Sequence, residues 1–223
     1  MTFQYCILQG SYWASFCIIY SFATVFLLDR GFSNSQIGVI IAAGNILGVV
    51  LQPVFASIVD WSKTITLHKL TGILAAIMAL LVLFLYVLPN LFFAVVLLFL
   101  MTDTLLQVIQ PLINSVSVYY VNKGINVDFG AARGIGSLSY AAASYLLGGL
   151  VERYGCSVIL VTGFLMVAII SATVFSMPII KEAAEEVCAK SLQDTPSHTI
   201  SQESKEKESI IFFIGRYKYF MLT

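Results

Sequence analysis

Charged side chains are scarce in this chain: they make up 11% of its 223 residues, while 59% of the residues are hydrophobic. Soluble domains carry about 25% charged residues, so this composition excludes an ordinary soluble fold. The charges lie between long apolar runs, and the mean hydropathy is +0.91. This distribution is typical of a polytopic membrane protein built from helices.

Cysteine and histidine are also few, and their spacing supports no covalent or metal chemistry. The four cysteines show no paired spacing, which argues against a disulfide framework, a CxxC redox site and a thiolate metal site. The two histidines, His68 and His198, fall in predicted loops and form no metal cluster. The sequence has no GxxxxGKS/T, HExxH or GxSxG motif and no basic stripe with interleaved aromatics. We therefore expect no enzyme, no cofactor and no nucleic-acid partner.

Six apolar stretches are each about 20 residues long, as a helix that crosses a ~30 Å hydrocarbon core must be. They cover residues 10–28, 36–59, 67–88, 91–119, 131–151 and 156–177. The sequence therefore predicts an all-α membrane protein, with six transmembrane helices forming one bundle over residues 1–180.

The remaining residues differ in composition from the predicted bundle. Residues 181–209 are rich in Glu, Lys, Ser and Gln, which predicts a flexible, solvated linker. Residues 210–223 have the pattern of a seventh span that ends before it could cross a membrane. We expect this chain to be half of a larger protein.

The distribution of Lys and Arg predicts the orientation in the membrane. Only Arg30 and Arg153 fall in the first, third and fifth connections. The other connections and the residues after the sixth span hold Lys63, Lys69, Lys123, Lys181, Lys190, Lys205, Lys207, Arg216 and Lys218. Because cytoplasmic loops carry the excess of Lys and Arg, the N-terminus and the 181–209 linker are predicted to be cytoplasmic.

The fourth span carries a polar stripe along one helical face. The spacing i, i+4, i+7, i+11, i+14 aligns Asp103, Gln107, Gln110, Asn114 and Ser117. A hydrogen bond to a neighbouring helix would account for any one of these groups. Five on one face favour a solvated cavity at membrane depth.

The fifth span has a polar face of its own, around Arg133, which is aligned with Ser137, Tyr140 and Ser144. A guanidinium in a bilayer costs at least about 2.5–3.5 kcal/mol unless a partner or water receives it. This face is therefore predicted to line the same cavity; the alternative is that Arg133 snorkels to the headgroups. Four small residues, Gly130, Gly134, Ala141 and Gly148, are predicted to form an adjoining face for close helix packing.

The first two spans show weaker polar patterns. In the second span Asn45, Gly48 and Gln52 share a face, and its glycines suit either packing or transport. In the first span the polar residues are scattered, and Tyr12 and Trp13 are interpreted as part of an interfacial aromatic belt.

Two stretches resemble a known family. Residues 52–60 read QPVFASIVD, which resembles the end of the second helix and the signature loop of the major facilitator superfamily. Residues 129–133 read FGAAR, followed by Gly136 and Tyr140, which resembles the fifth helix of the lactose permease-like oligosaccharide/nucleoside:proton symporters. The resemblance implies the amino-terminal bundle of such a transporter, built from two inverted three-helix repeats.

The resemblance also implies roles for residues of the fifth helix and the signature loop. Arg133 matches the arginine that binds sugar in these symporters. Tyr140 stands where they have a tryptophan that stacks on the sugar ring, and Ser137 falls at a small residue close to the sugar. In the loop, Asp60 corresponds to the gate residue, with Lys69 in the reduced basic part; an ordinary loop charge is the alternative for Asp60.

On the fourth helix the sequence departs from these symporters. A shared proline places Asn114 where they have the glutamate that pairs with the arginine, and Gln107 where they have an asparagine. Because Asn114 cannot form the ion pair, Arg133 needs another partner, and Asp103 or the substrate is suggested. Asp103 is the candidate proton-coupling group.

The predicted function is proton-coupled symport of a small polyhydroxylated solute, such as a sugar or nucleoside, through the inner membrane. The predicted substrate-binding residues are Arg133, Asn114, Tyr140, Ser137, Gln107 and Gln110. The expected partners are the solute, protons, the bilayer and a second six-helix half from the same gene or a separate chain. The alternative is a non-transporting membrane binding or assembly protein, or an inactive truncated half-transporter.

Overall fold

The computed structural model describes residues 1–61, 66–88 and 91–178, and for Asp60 and Trp61 the backbone only. The predicted linker at 181–209 and the predicted seventh span at 210–223 lie outside the described residues. Seven α-helices and one π-helical turn make up the regular structure of the described part. They are α1 (Thr2–Phe16), the π turn (Cys17–Ser21), α2 (Ala23–Asp29), α3 (Asn34–Trp61), α4 (Leu67–Val87), α5 (Phe92–Asn122), α6 (Phe129–Tyr154) and α7 (Ser157–Ser176).

The lengths and compositions of these helices fit a six-span protein. Five helices, α3 to α7, are long and apolar enough to cross a membrane. The segments α1, the π turn and α2 together are also long and apolar enough to cross, with a bend of 42° at a short break before α2. They form a sixth span if this broken helix is counted as one. The all-α membrane fold predicted from the sequence is confirmed, and each predicted span corresponds to one of these six units.

The first span begins earlier than predicted, at Thr2 rather than residue 10. Its first two turns are part of the core, with Tyr5 and Leu8 fully buried. Gln9 and Ser11, the polar residues that interrupt the apolar pattern here, are also buried. Hydropathy alone therefore places the start too late, because the polar side chains of this segment face other helices.

The ends of α6 follow ordinary capping chemistry. The carboxylate of Asp128 accepts a hydrogen bond from the Ala131 backbone N–H at 2.9 Å, which satisfies one free donor of the first turn. At the other end Gly155 has φ +81°, a conformation that favours glycine after a helix. These caps place Arg133 in the second turn of α6.

The bundle is built from pairs of helices that contact along their lengths. α4 packs against α7 and α5, α1 packs against α6 and α7, and α3 packs against α5. The core between them holds large, fully buried side chains, among them Met78, Leu106, Ile109 and Ile170. Of the helices α3 to α7, the least buried are α3 and α6, in which 17% and 11% of the most apolar stretch is buried.

Two glycines bring α1 and α6 close together. A Cβ added to Gly136 would lie 2.5 Å from Trp13 Cδ1, and one added to Gly10 would lie 2.9 Å from Ser139 Oγ. The small-residue face predicted on α6 meets no helix of the described part of the chain, because Gly134 and Gly148 have open space where a Cβ would be. The face that meets α1 is displaced around the helix and carries Gly136 instead.

We predict that Gly136→Ala destabilises the bundle by about 1–3 kcal/mol, because the methyl group must displace Trp13 or separate α1 from α6. Gly134→Ala is the matched control in the same helix. With open space at its Cβ it is expected to be neutral or stabilising by up to about 1 kcal/mol, from helix propensity. Unfolding in detergent, followed by circular dichroism, compares the two. Equal losses would contradict the packing described here.

Candidate functional site

Asp103, at one end of the α5 stripe, is buried against α3. The residue is 1% exposed, and its carboxylate occupies the space where Gly44 would carry a side chain. Neither carboxylate oxygen has a hydrogen-bond partner. Buried polar groups are nearly always paired, so an orphaned carboxyl group in the middle of a helix contact is exceptional.

Gln107, one turn further along α5, is hydrogen-bonded to α3 and through it to the π turn of the first span. Its amide nitrogen donates to Asn45 Oδ1 at 2.8 Å, and Asn45 Nδ2 donates to the Tyr20 hydroxyl at 3.1 Å. The backbone carbonyl of Gln107 accepts a further hydrogen bond from Gln52 Nε2 at 3.1 Å. Gly48 lets the Gln107 side chain lie against α3, since a Cβ there would be 2.7 Å from Gln107 Cβ. This polar relay joins three spans.

Asn114 is hydrogen-bonded to α1, a helix that carries none of the predicted site residues. Its side-chain oxygen accepts a hydrogen bond from Gln9 Nε2 at 3.1 Å. The same Gln9 nitrogen donates to the Tyr5 hydroxyl at 2.9 Å. Gln110, between Gln107 and Asn114 on the stripe, is half-buried and has no side-chain hydrogen bond within the described part of the chain. The stripe thus carries engaged and unengaged amides side by side.

Arg133 lies over an aromatic ring of α1. Its guanidinium carbon is 4.1 Å from the centre of the Trp13 ring, a cation–π contact. Arg133 is an exposed residue of the described structure, and cation–π contacts at exposed sites contribute about 0.5–1 kcal/mol. Asp103, suggested as the ionic partner of Arg133, is not its partner, because the Asp103 oxygens are unpaired and lie against Gly44.

The aromatic residues of α1 are part of the site rather than an interfacial belt. Tyr12 is 1% exposed, and its hydroxyl donates to the Leu106 carbonyl of α5 at 3.1 Å. Trp13, Phe16 and Tyr20 follow one another along a single face, with ring centres 5.4 Å and 4.9 Å apart. The belt interpretation of Tyr12 and Trp13 was wrong. The spacing of Gln9, Trp13, Phe16 and Tyr20 at i, i+4, i+7 and i+11 was the signal that pointed to this face.

The two remaining predicted site residues of α6 have hydrogen-bond partners of their own. The Tyr140 hydroxyl is 2.8 Å from Ser21 Oγ in the π turn, so it links α6 to the broken part of the first span. Ser137 is exposed, and its hydroxyl donates to the Arg133 carbonyl within the same helix at 3.3 Å. Neither contact occupies the Arg133 guanidinium.

The predicted gating residues lie at the α3–α4 connection. The Asp60 side chain lies outside the described residues, and Lys69 is exposed in the first turn of α4. His68 is not in a loop as expected: it is 2% exposed within α4, and its Nε2 is 3.1 Å from the Tyr120 hydroxyl. Tyr120 in turn donates to the Pro178 carbonyl at 2.9 Å. His68 thus links α4 to Tyr120 of α5, and through Tyr120 to the residues that follow α7, instead of extending a basic loop.

A cavity of about 490 Å³ lies between α1, α6 and α7, with an almost entirely apolar lining. None of the predicted substrate-binding residues lines it. On α6 its wall includes Ile135, Ala142 and Leu146, on the side of the helix away from Arg133. It is separate from the polar site on α1, α5 and α6.

The sequence model of the MFS_1 like family matches residues 5–223, nearly the whole chain. The chain belongs to this family. It is therefore a major facilitator superfamily-like membrane transporter, with several apolar helices that cross the bilayer. No curated protein and no solved structure matches the chain.

We predict that Gln107→Ala lowers the free energy of unfolding by about 1–3 kcal/mol, since it leaves Asn45 Oδ1 without its donor in a half-buried helix contact. Gln110→Ala is the matched control on the same stripe, because Gln110 has no side-chain hydrogen bond in the described structure. Thermal unfolding in detergent distinguishes the two variants. A Gln110→Ala loss as large as that of Gln107→Ala would contradict the relay.

Proposed function

We propose that this family member moves a small polyhydroxylated solute, such as a sugar or nucleoside, by proton-coupled symport. The observation that carries the proposal is the cluster of polar groups that α1, α5 and α6 place between apolar spans. Within it Asn114 is held by Gln9, and Arg133 lies on Trp13 with its N–H groups unengaged by the described residues. Amide groups both donate and accept, as a solute with many hydroxyls requires.

In this proposal the site residues have different roles. Arg133 and Asn114 contact the solute directly, and Tyr140 stacks on it from the next turns of α6. Ser137 and the unengaged amide of Gln110 supply further hydrogen bonds. Gln107 contributes to the wall mainly by holding α5 against α3 through Asn45.

Asp103 is proposed as the proton carrier. Its carboxylate is buried against Gly44 without a hydrogen-bond partner, a position in which the ionised form costs several kcal/mol. Proton binding at Asp103 would therefore favour the closed contact between α3 and α5, and proton loss would favour its opening. Such a link between protonation and helix packing is what proton coupling requires.

Alternating access would come from rocking this bundle against a second six-helix half, which would supply the opposite wall of the site. That half would come from the same gene or from a separate chain. We also propose that the protein lies in the inner membrane with its N-terminus and the 181–209 linker in the cytoplasm, with Asp60 and Lys69 acting in the gating loop. The basis is the asymmetry of Lys and Arg between the two sets of connections.

A second candidate function is a non-transporting membrane binding or assembly protein, or an inactive truncated half-transporter. The low burial of α3 and α6 favours it, because such open apolar helices suit assembly with another membrane protein. Binding of solute without uptake would support this candidate. Uptake that collapses when the proton gradient is dissipated would support the symporter.

We predict that Arg133→Ala and Asn114→Ala each lower solute uptake by the full-length protein at least tenfold. A hydrogen bond to a charged group contributes about 1.5–3 kcal/mol, or roughly 10–100-fold in affinity. Arg153→Ala, a charge change at the far end of α6, is the control and should leave uptake unchanged. Unchanged uptake in both site variants would refute the proposed site.

We predict that Asp103→Asn abolishes the pH-dependent accumulation of solute, because an amide of the same shape cannot carry a proton. Downhill exchange of solute should continue, since the α3–α5 contact is preserved. Glu152→Gln, which alters an exposed carboxylate of α6, is the control. Accumulation against a gradient is measured in vesicles with an imposed pH difference. A variant that keeps full pH-dependent accumulation would exclude Asp103 as the carrier.

A further inference from the structure

We propose that the solute is acidic: a polyhydroxylated carboxylate such as a sugar acid, whose carboxylate binds to Arg133. This inference rests on the proposed function, because it assigns a substrate class to the same site on α1, α5 and α6. It also changes the expectation of a neutral sugar or nucleoside, since a neutral solute would leave the charge of Arg133 uncompensated.

The first step is the charge balance around Arg133. Within residues 1–61, 66–88 and 91–178 the guanidinium has neither an ion pair nor a hydrogen bond; its contact there is the Trp13 ring. On α5 the carboxylate of Asp103 is buried against Gly44, and Asp128 caps the first turn of α6. α1 has no acidic residue, and the remaining carboxylate of α6, Glu152, is five turns away. The described helices thus supply a cation without a counter-charge.

The second step is the geometry of the stack on Trp13. The guanidinium carbon lies 4.1 Å from the centre of the Trp13 ring, and its five N–H donors have no hydrogen-bond partner among the described residues. Trp13 is itself held in place, because it packs against the backbone of α6 at Gly136. A planar, oriented guanidinium edge matches a carboxylate, which accepts two parallel hydrogen bonds from it. Hydroxyl groups can also accept hydrogen bonds from the guanidinium, but they bring no negative charge to compensate it.

The third step is the balance of donors and acceptors among the other polar groups of the site. The oxygen of Asn114 already accepts one hydrogen bond from Gln9, so Asn114 has two N–H donors and one lone pair left to offer a solute. The hydroxyl of Tyr5 likewise accepts from Gln9. The site therefore presents more free donors than acceptors, which suits an anion. The amide of Gln110 remains for the hydroxyl groups of the solute.

The test compares two sugars that differ at one carbon, glucuronate and glucose. The full-length protein is reconstituted in vesicles with an imposed proton gradient, and uptake of each labelled sugar is measured at pH 7. Glucuronate uptake should exceed glucose uptake at least tenfold. Arg133→Gln should remove this preference by lowering glucuronate uptake, and Arg153→Gln on the same helix should preserve it.

The outcomes separate this inference from the proposed function. Glucose uptake equal to or above glucuronate uptake would overturn the acidic class while supporting transport of a polyhydroxylated solute. Saturable binding of glucuronate without uptake, lost in Arg133→Gln, would support the acidic class and overturn transport. If glucuronate is neither taken up nor bound, the inference is overturned.

Discussion

The structure depends on one constraint: a polar side chain inside a bilayer must have its partner within the protein, because no bulk water is available there. Hydroxyl groups such as those of Thr71 and Thr102 bond to a carbonyl one turn back in their own helix, whereas longer polar side chains bond across helix contacts. Gln107 bonds to Asn45, Asn114 bonds to Gln9, and Tyr12 bonds to the α5 backbone. The same contacts set which helices approach closely, since glycines on α3 and α6 make room for the large side chains that face them. Polar pairing and close packing are therefore one feature of this bundle.

Two of the groups that escape this rule have a functional interpretation. The Asp103 carboxylate is buried without a partner, and the donors of Arg133 are unengaged although its ring contact is made. The two lie on different contacts, Asp103 between α5 and α3 and Arg133 between α6 and α1. A division of roles follows, with proton binding proposed at one contact and solute binding at the other. The helix α1 contacts both elements. Its residues Gln9 and Tyr12 hydrogen-bond to α5, and its Trp13 ring contacts Arg133 of α6.

Much of the site could be predicted from periodicity. The α5 stripe is aligned as the i, i+4, i+7 spacing indicates, and a helical period is a property of the backbone alone. The predictions that were wrong or missing concern neighbours. Gly136, which meets α1, was not among the predicted packing residues, Tyr12 and Trp13 were assigned to the interface, and Asp103 was offered as the partner of Arg133. Each requires knowing which helix lies opposite, and no spacing within one helix contains that information.

The sequence by itself determined that the chain is a helical membrane protein, how many apolar spans it has and which face of the fourth span is polar. Hydrophobic length and helical period decide these properties locally, so they can be predicted before any helix packs. Only the tertiary structure decided that Gln9 meets Asn114, that Trp13 supports Arg133 and that Gly44 receives Asp103. These pairings join residues 59 to 120 positions apart, and they depend on the rotation and depth of each helix. Packing of side chains against glycine sets both, and that is a property of helix pairs rather than of a single helix.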